Sequence, residues 1–229
     1  LAERWPDGPD ALTLTNAAKA IVPLVQVPPR GVWNRSGMVR FAAMDDWLGR
    51  PTPSKVDPAP ILHRYLAAYG PASAADAQVW SGITRLGGVL DRMRGELLVL
   101  RDPAGRELFD LPDAPRPDPD TPAPPRFLAD FDNLLLSHAD RSRFITDAMR
   151  QALTDRSGPL PGALLVDGRV AGAWHLRTEG PLTTVVIGVA QPLAPDDETA
   201  VRAEADAMLD FSRPGARERA VEIEPIRAG

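Results

Sequence analysis

Pro60-Ile61-Leu62-His63-Arg64-Tyr65-Leu66-Ala67-Ala68-Tyr69 sets Ile61, Leu62, Tyr65, Leu66 and Tyr69 at helical spacing, and Gly70-Pro71 stops the run. Ser73 then has the character of an N-cap. Asp76, three residues on, stands where a capping box needs its acid, and Ala77, Val79 and Trp80 follow before Ser81-Gly82 breaks the pattern. Residues 83–94 predict a third helix with Ile83, Leu86, Val89, Leu90 and Met93 on one face and Arg85, Arg92 and Arg94 off it, ending at Gly95. Gly87-Gly88 lies inside that helix and reads as close helix packing. Two strands come next: Glu96-Leu97-Leu98-Val99-Leu100-Arg101 and Arg106-Glu107-Leu108-Phe109-Asp110-Leu111 flank Asp102-Pro103-Ala104-Gly105, a hairpin turn by composition. Three helices and a hairpin, in that order, describe a winged helix, whose third helix enters a major groove and whose wing touches the backbone.

On the N-terminal side, residues 1–10 are rich in Pro and Asp and read as loose, and residues 11–22 predict a helix that Pro23 ends. Leu24-Val25-Gln26-Val27 and Met38-Val39-Arg40-Phe41 are short strands, which makes a second wing of the loop between them. Residues 1–50 are therefore expected to be the C-terminal part of a winged helix (helix plus wing), with its first two helices upstream of Leu1, and residues 57–113 a second one. Asp45-Asp46-Trp47-Leu48-Gly49 reads as a helical turn, and the prolines of residues 50–60 as a linker. Residues 114–126 hold Pro115, Pro117, Pro119, Pro122, Pro124 and Pro125, a density that predicts an extended connector.

Beyond it, residues 127–229 read as a β-rich domain. Residues 144–154 have a short helical pattern, and Gly162-Ala163-Leu164-Leu165-Val166 and residues 169–177 form a hairpin around Asp167-Gly168, a type I′ signal. Residues 182–189 give a third strand, residues 196–211 an amphipathic helix, and residues 220–223 a closing strand. The expected class is α+β: winged-helix units followed by a small C-terminal β-barrel-like domain with one helix.

Composition bounds the function. The 229 residues are 44% apolar and 25% charged, with net charge −5 and a pI near 5.3, which excludes a uniformly basic nucleic-acid binder. The charge is uneven, however: residues 30–40 hold three arginines and no acid, and residues 83–106 hold five arginines against Asp91, Glu96 and Asp102. No apolar run approaches a membrane span, no secretory leader is visible, and the lack of cysteine excludes disulfides and fits a cytoplasmic protein. Lys19 and Lys55 are the only lysines, a usage that suggests a GC-rich genome.

Candidate chemistry is sparse. His63 reads as a capping or packing residue on its helix, and His175 as a strand residue beside Trp174. His138, in Ser137-His138-Ala139-Asp140-Arg141, follows Asp132-Asn133 in a polar loop. Asp132, Asn133, His138, Asp140 and Arg141 are expected to tie a domain junction together by hydrogen bonds, since hydrolytic triads draw on separate loops. Asp130, Asp132 and Asp140 lack a calcium-loop pattern, no phosphate-binding loop, dinucleotide fingerprint or nucleophile elbow occurs, and neither metal nor cofactor is expected. The candidate DNA-binding residues are Arg30, Trp33, Arg35, Arg85, Arg92, Arg94, Arg101 and Arg106, with Trp33 equally readable as an anchor into a neighbouring domain.

Four ordered segments carry a resemblance. They are Leu24-Val25-Gln26-Val27-Pro28-Pro29-Arg30-Gly31-Val32-Trp33, Arg64-Tyr65-Leu66-Ala67-Ala68-Tyr69-Gly70-Pro71-Ala72-Ser73, Trp80-Ser81-Gly82, and Arg126-Phe127-Leu128 with Phe131-Asp132-Asn133-Leu134-Leu135-Leu136-Ser137-His138-Ala139-Asp140-Arg141. Together they resemble the actinobacterial winged-helix DNA-binding domain proteins, a wider family that includes bacterial DNA glycosylases acting on alkylated bases and interstrand crosslinks. The resemblance implies tandem winged helices with a C-terminal β-barrel, a monomer, and double-stranded DNA as partner. It also implies a catalytic Gln-x-Gln or Gln-x-Asp in the N-terminal winged helix. The glutamines here are Gln26, Gln78, Gln151 and Gln191, and neither motif occurs. The expected function is thus DNA binding by the C-terminal portion of a repair glycosylase-like protein. The alternatives are a protein-interaction or structural module, or a transcriptional regulator.

Overall fold

The computed structural model describes residues 8–33, 35–53, 55–154 and 161–226, and the chain divides into two units, Leu1–Asp57 and Pro58–Gly229. Most of the expected loose N-terminal stretch lies outside the described residues. In the first unit, helix α1 (Ala11–Ile21) starts where the Asp10 carboxylate accepts hydrogen bonds from the Leu12 and Thr13 N–H groups at 2.9 and 3.0 Å. Strands β1 (Leu24–Val27) and β2 (Arg40–Ala43) pair antiparallel, Leu24 opposite Ala43 and Val27 opposite Arg40. The second strand begins two residues later than the apolar run predicts, because cross-strand pairing sets the register and leaves Met38 and Val39 in the exposed loop. Helix α2 (Met44–Leu48) ends at Gly49, whose φ of 64° suits a residue without a Cβ. The ammonium of Lys19 lies 5.0 Å from the Phe41 ring centre, joining α1 to the hairpin. No described side chain of this unit is buried.

The second unit begins with α3 (Ala59–Tyr69), α4 (Ala74–Ser81) and α5 (Gly87–Met93), then β3 (Leu98–Arg101) and β4 (Glu107–Asp110). Leu62, Tyr65, Leu66, Leu86 and Leu90 are almost wholly buried in its core, each contributing roughly 2 kcal/mol. Ser73 and Asp76 form the expected capping box. The third helix starts at Gly87 rather than residue 83. Gly82 caps α4 at φ 69°, Arg85 turns to φ 63°, and the Leu86 N–H is taken by the Gln78 side chain at 3.1 Å, so residues 83–86 form a turn. Gly87 and Gly88 therefore open the helix instead of sitting within it. Ala72 exchanges both backbone hydrogen bonds with Phe109, at 2.9 and 2.8 Å, and adds a one-residue bridge to the β3–β4 hairpin. Gly70 permits this approach: a Cβ there would run into the Asp110 carboxylate and the Leu66 carbonyl.

The remainder is a single sheet. Strands β5 (Arg126–Leu128), β6 (Gly162–Val166), β7 (Arg169–Glu179), β8 (Leu182–Val189) and β9 (Glu218–Pro225) lie in that order; helix α6 (Asp147–Thr154) precedes β6 in the chain, and α7 (Pro195–Ser212) connects β8 to β9. This corrects the expected barrel with one helix. Among the described residues β5 and β9 each have one neighbour, so the sheet stays open, and two helices accompany it. The β8–β9 pair is parallel, which needs a crossover, and the α7 segment supplies it. Each face has its own core: Val201, Ala205 and Leu209 of α7 pack with Leu164, Val185 and Ile187, while Met149 and Leu153 of α6 pack with Ala163, Leu165 and Ala173. A strand covered on both sides reads as a continuous apolar run, as Val185-Val186-Ile187 does, rather than as an alternation. The Asp167-Gly168 turn has φ of 49° and 68°, the type I′ signature the sequence predicts. No described helix is long and apolar enough to cross a membrane.

Candidate nucleic-acid interface

The β1–β2 connection, residues 28–39, carries Arg30, Trp33 and Arg35, all exposed, with the indole 62% exposed. Neither Arg30 nor Arg35 has a side-chain hydrogen bond or ion pair among the described residues. The basic stretch is longer than residues 30–40: residues 11–44 contain Lys19, Arg30, Arg35 and Arg40 and no Asp or Glu. Counting acids outward from the arginines would have exposed that run in the sequence.

The second arginine group has a different environment. Arg94 donates to Glu107 at 2.6 and 3.1 Å and to Asp91 at 3.1 Å. These bonds lower the Glu107 carboxyl and raise the Arg94 guanidinium. Arg101 donates to the Gly105 carbonyl and lies 3.9 Å from Glu107. Arg106 bridges Asp102 at 2.6 Å and Asp140 at 2.5 Å. Arg92 bonds the Gly88 carbonyl of its own helix at 2.8 Å, and Arg85 projects from the turn before α5 with no partner among the described residues. Arg85 and Arg92 thus retain exposed guanidinium groups, whereas Arg94, Arg101 and Arg106 face carboxylates.

The polar loop after the proline-rich stretch does gather at a junction. The Asp132 carboxylate caps a 3-10 turn, Asn133–Leu135, by accepting from the Leu134 N–H at 2.8 Å, and Asn133 itself is exposed. His138 is 3% exposed, its Nδ1 2.9 Å from the Ser137 hydroxyl and its Nε2 3.0 Å from the Tyr69 carbonyl. Burial, with Arg143 nearby, holds its pKa below the ordinary value, so the ring is kept neutral. The Tyr65 hydroxyl donates to the Ser137 carbonyl at 2.8 Å, and the His138 ring meets Phe144 edge-on at 5.8 Å. Arg141 donates to the His138 carbonyl at 3.0 Å.

Asp76 is the residue that sequence reasoning saw only in part. One carboxylate oxygen takes the Ser73 N–H and hydroxyl at 2.8 and 2.7 Å. The other accepts from the Ala139 and Asp140 N–H groups at 2.8 and 3.3 Å. Burial raises this carboxyl and the four hydrogen bonds lower it further than that, leaving it ionised below its ordinary range. No local pattern announces a partner 63 residues away. Asp140 is held well below the usual carboxylate range, first by the Ser142 hydrogen bonds and then by Arg106. His63 and His175 are exposed, which corrects the packing role read for His63. A polar cleft of about 300 Å3 opens here between Asp140, Arg141, Ser142, Asp147 and Arg150. Among the described residues no group of three or more His, Cys, Asp or Glu is arranged to hold a metal ion.

This mixed α+β architecture, with helices, two separate hairpins and an open sheet, has a counterpart among known proteins. The model of the AlkZ-like family, described as DNA glycosylase AlkZ-like, matches residues 1–211, and the chain belongs to that family. Among solved structures it is similar to the Streptomyces sahachiroi DNA glycosylase AlkZ, at 24% identity and a TM-score of 0.64, covering 87% of this chain and 54% of that one. That likeness speaks for the fold, and the chain spans about half the length of the AlkZ structure. No curated protein matches.

Proposed function

We propose that the chain is the DNA-binding part of a DNA-repair glycosylase, acting as a monomer on double-stranded DNA that carries alkylated or crosslinked bases. Family membership supplies the class. The observation that carries the reading is that Arg30, Arg35, Arg85 and Arg92 remain exposed and clear of carboxylates in a chain whose net charge is −5. Guanidinium groups so placed can bond phosphate oxygens bidentately and release condensed counterions.

The three helices and hairpin of residues 58–110 are read here as a winged helix. The Ala72–Phe109 bridge supports that reading, because it supplies a third short strand between the first two helices and the wing. Residues 11–43, a helix followed by a hairpin, are read as the end of a second one, its described side chains all at least partly exposed. The Asp76 and His138 network then fixes the loop of residues 132–141 on the helical layer. Base-excising residues are not assigned within this chain, which holds no Gln-x-Gln or Gln-x-Asp.

Duplex binding measured against salt is the test. Four phosphate contacts give a log–log slope of about −3 to −4. Affinity absent at low salt, or indifferent to salt, overturns the reading. For excision, an N7-alkylguanine duplex incubated with this chain and then heated is expected to stay intact, and scission would place the chemistry within these residues. A structural role is favoured for one element alone, the β3–β4 hairpin, whose arginines are spent on Glu107, Asp102 and Asp140.

A further inference from the structure

Resting on that DNA-binding reading, the polar cleft beside the junction loop carries a cation that the loop leaves half spent. Arg141 lines the cleft and is partly buried. Its Nε donates to the His138 carbonyl at 3.0 Å, and its two terminal nitrogens have no partner among the described residues. Neither carboxylate of the cleft serves it: Asp140 is taken by Arg106 and the Ser142 N–H, and Asp147 by Arg150 at 2.9 Å. Repulsion by Arg150 adds to burial in pulling the Arg141 guanidinium below its ordinary value. A partly buried cation beside a second one, with no carboxylate of its own, is an arrangement that an anion relieves.

The surroundings favour the same ligand. Arg143 and Arg169 are exposed, donate to the Pro71 and Ser142 carbonyls, and form no ion pair among the described residues. The loop that carries Arg141 is fixed, since Asp76 accepts the Ala139 and Asp140 N–H groups and the His138 ring is held by Ser137 and the Tyr69 carbonyl. A guanidinium pinned through Nε loses little freedom on binding, and its other two nitrogens form a fork that suits two oxygens of one phosphate. We propose that Arg141 binds a phosphate group of the DNA backbone in this cleft, in addition to the contacts assigned to Arg30, Arg35, Arg85 and Arg92. Arg106 and Arg150 offset the two cleft carboxylates that would otherwise repel it.

Duplex binding by the full chain against salt, for the wild type, Arg141→Lys and Arg141→Gln, reads the contact. Arg141→Gln is expected to weaken binding roughly fivefold and to flatten the log–log slope by about 1, whereas Arg141→Lys, which keeps the charge without the fork, keeps the slope. Inorganic phosphate reads the same site without DNA. It is expected to raise the wild-type melting temperature by roughly 2 °C more than sodium chloride of equal ionic strength, an excess that Arg141→Gln loses. A slope unchanged in Arg141→Gln overturns the inference while salt-dependent duplex binding stands, and a lower melting temperature beside that unchanged slope makes Arg141 a brace for the loop. A phosphate excess that vanishes in Arg141→Gln with duplex affinity untouched assigns the cleft to free phosphate and overturns its assignment to DNA. If Arg141→Gln does not fold, Arg141→Lys carries the test: losing the fork lowers the phosphate excess, and an excess equal to that of the wild type overturns the inference. No duplex binding by the wild type at low salt removes the inference and the DNA-binding reading together.

Discussion

The two hairpins of this chain look interchangeable in sequence and differ in electrostatics. Each has four-residue antiparallel strands, and each carries arginines at or near its turn. In the β3–β4 hairpin Glu107 sits opposite Arg101 in the ladder and within reach of Arg94, and Asp102 and Asp140 take both sides of Arg106. In the β1–β2 hairpin the acids nearest along the sequence are Asp10 and Asp45, beyond the two ends of the element, and Arg30 and Arg35 are exposed and form no ion pair among the described residues. An arginine count therefore says little about the positive field a polyanion meets. Exposed ion pairs of this kind add little stability, yet they cancel the long-range attraction that steers a charged ligand.

The largest expected effect probes the carboxylate that ties the start of α4 to the loop carrying Asp140, the partner of the β3–β4 arginine Arg106. Asp76→Ala removes a cap and leaves part-buried N–H groups at Ser73, Ala139 and Asp140 without their acceptor, and should cost about 2 kcal/mol in chemical denaturation. A loss well under that size would mean water replaces the carboxylate and the junction is not rigid.

Charge removal at the other hairpin comes next. Arg30→Ala/Arg35→Ala should weaken duplex binding by roughly tenfold and flatten the salt slope by about 2. An unchanged slope would break the contrast between the hairpins.

A pH effect in the histidine range is expected from the junction. The buried His138 has a folded pKa below its ordinary 6.5, so the unfolded chain takes up a proton first and stability falls as pH drops below about 6.5. His138→Gln should remove that part of the slope in melting temperature against pH, and a slope identical to wild type would assign it elsewhere.

Two smaller effects sharpen the comparison. Glu107→Gln removes the carboxylate beside Arg101 and leaves Arg94 with Asp91 alone, and should raise duplex affinity by a few-fold if the second hairpin reaches DNA. Arg101→Ala in the wild-type background is expected to change it by less than about twofold, since the charge it removes is already offset.

Local rules carried much of the fold. The Ser73–Asp76 box, the stop at Gly70-Pro71 and the Asp167-Gly168 turn each depend on residues within a few positions of one another, and all three stand as read. The third helix began late because a side chain eight residues back, Gln78, claims the N–H of Leu86 and holds the preceding turn. The strands of the C-terminal sheet were legible one by one, whereas their closure into a barrel was not, since nothing in Leu182–Val189 announces whether its next neighbour runs parallel or antiparallel.

By itself the sequence determined the helices, the turns, the absence of disulfides and the family resemblance, because caps, turn residues and apolar periodicity act over a few residues and need no partner from elsewhere. Tertiary structure alone decided which arginines are neutralised, where Asp76 spends its second oxygen, and that the sheet stays open with a helix on each face. Those outcomes turn on distances between residues far apart in the chain, and the Coulomb and hydrogen-bond energies that settle them exist only once folding has brought the groups within a few ångströms.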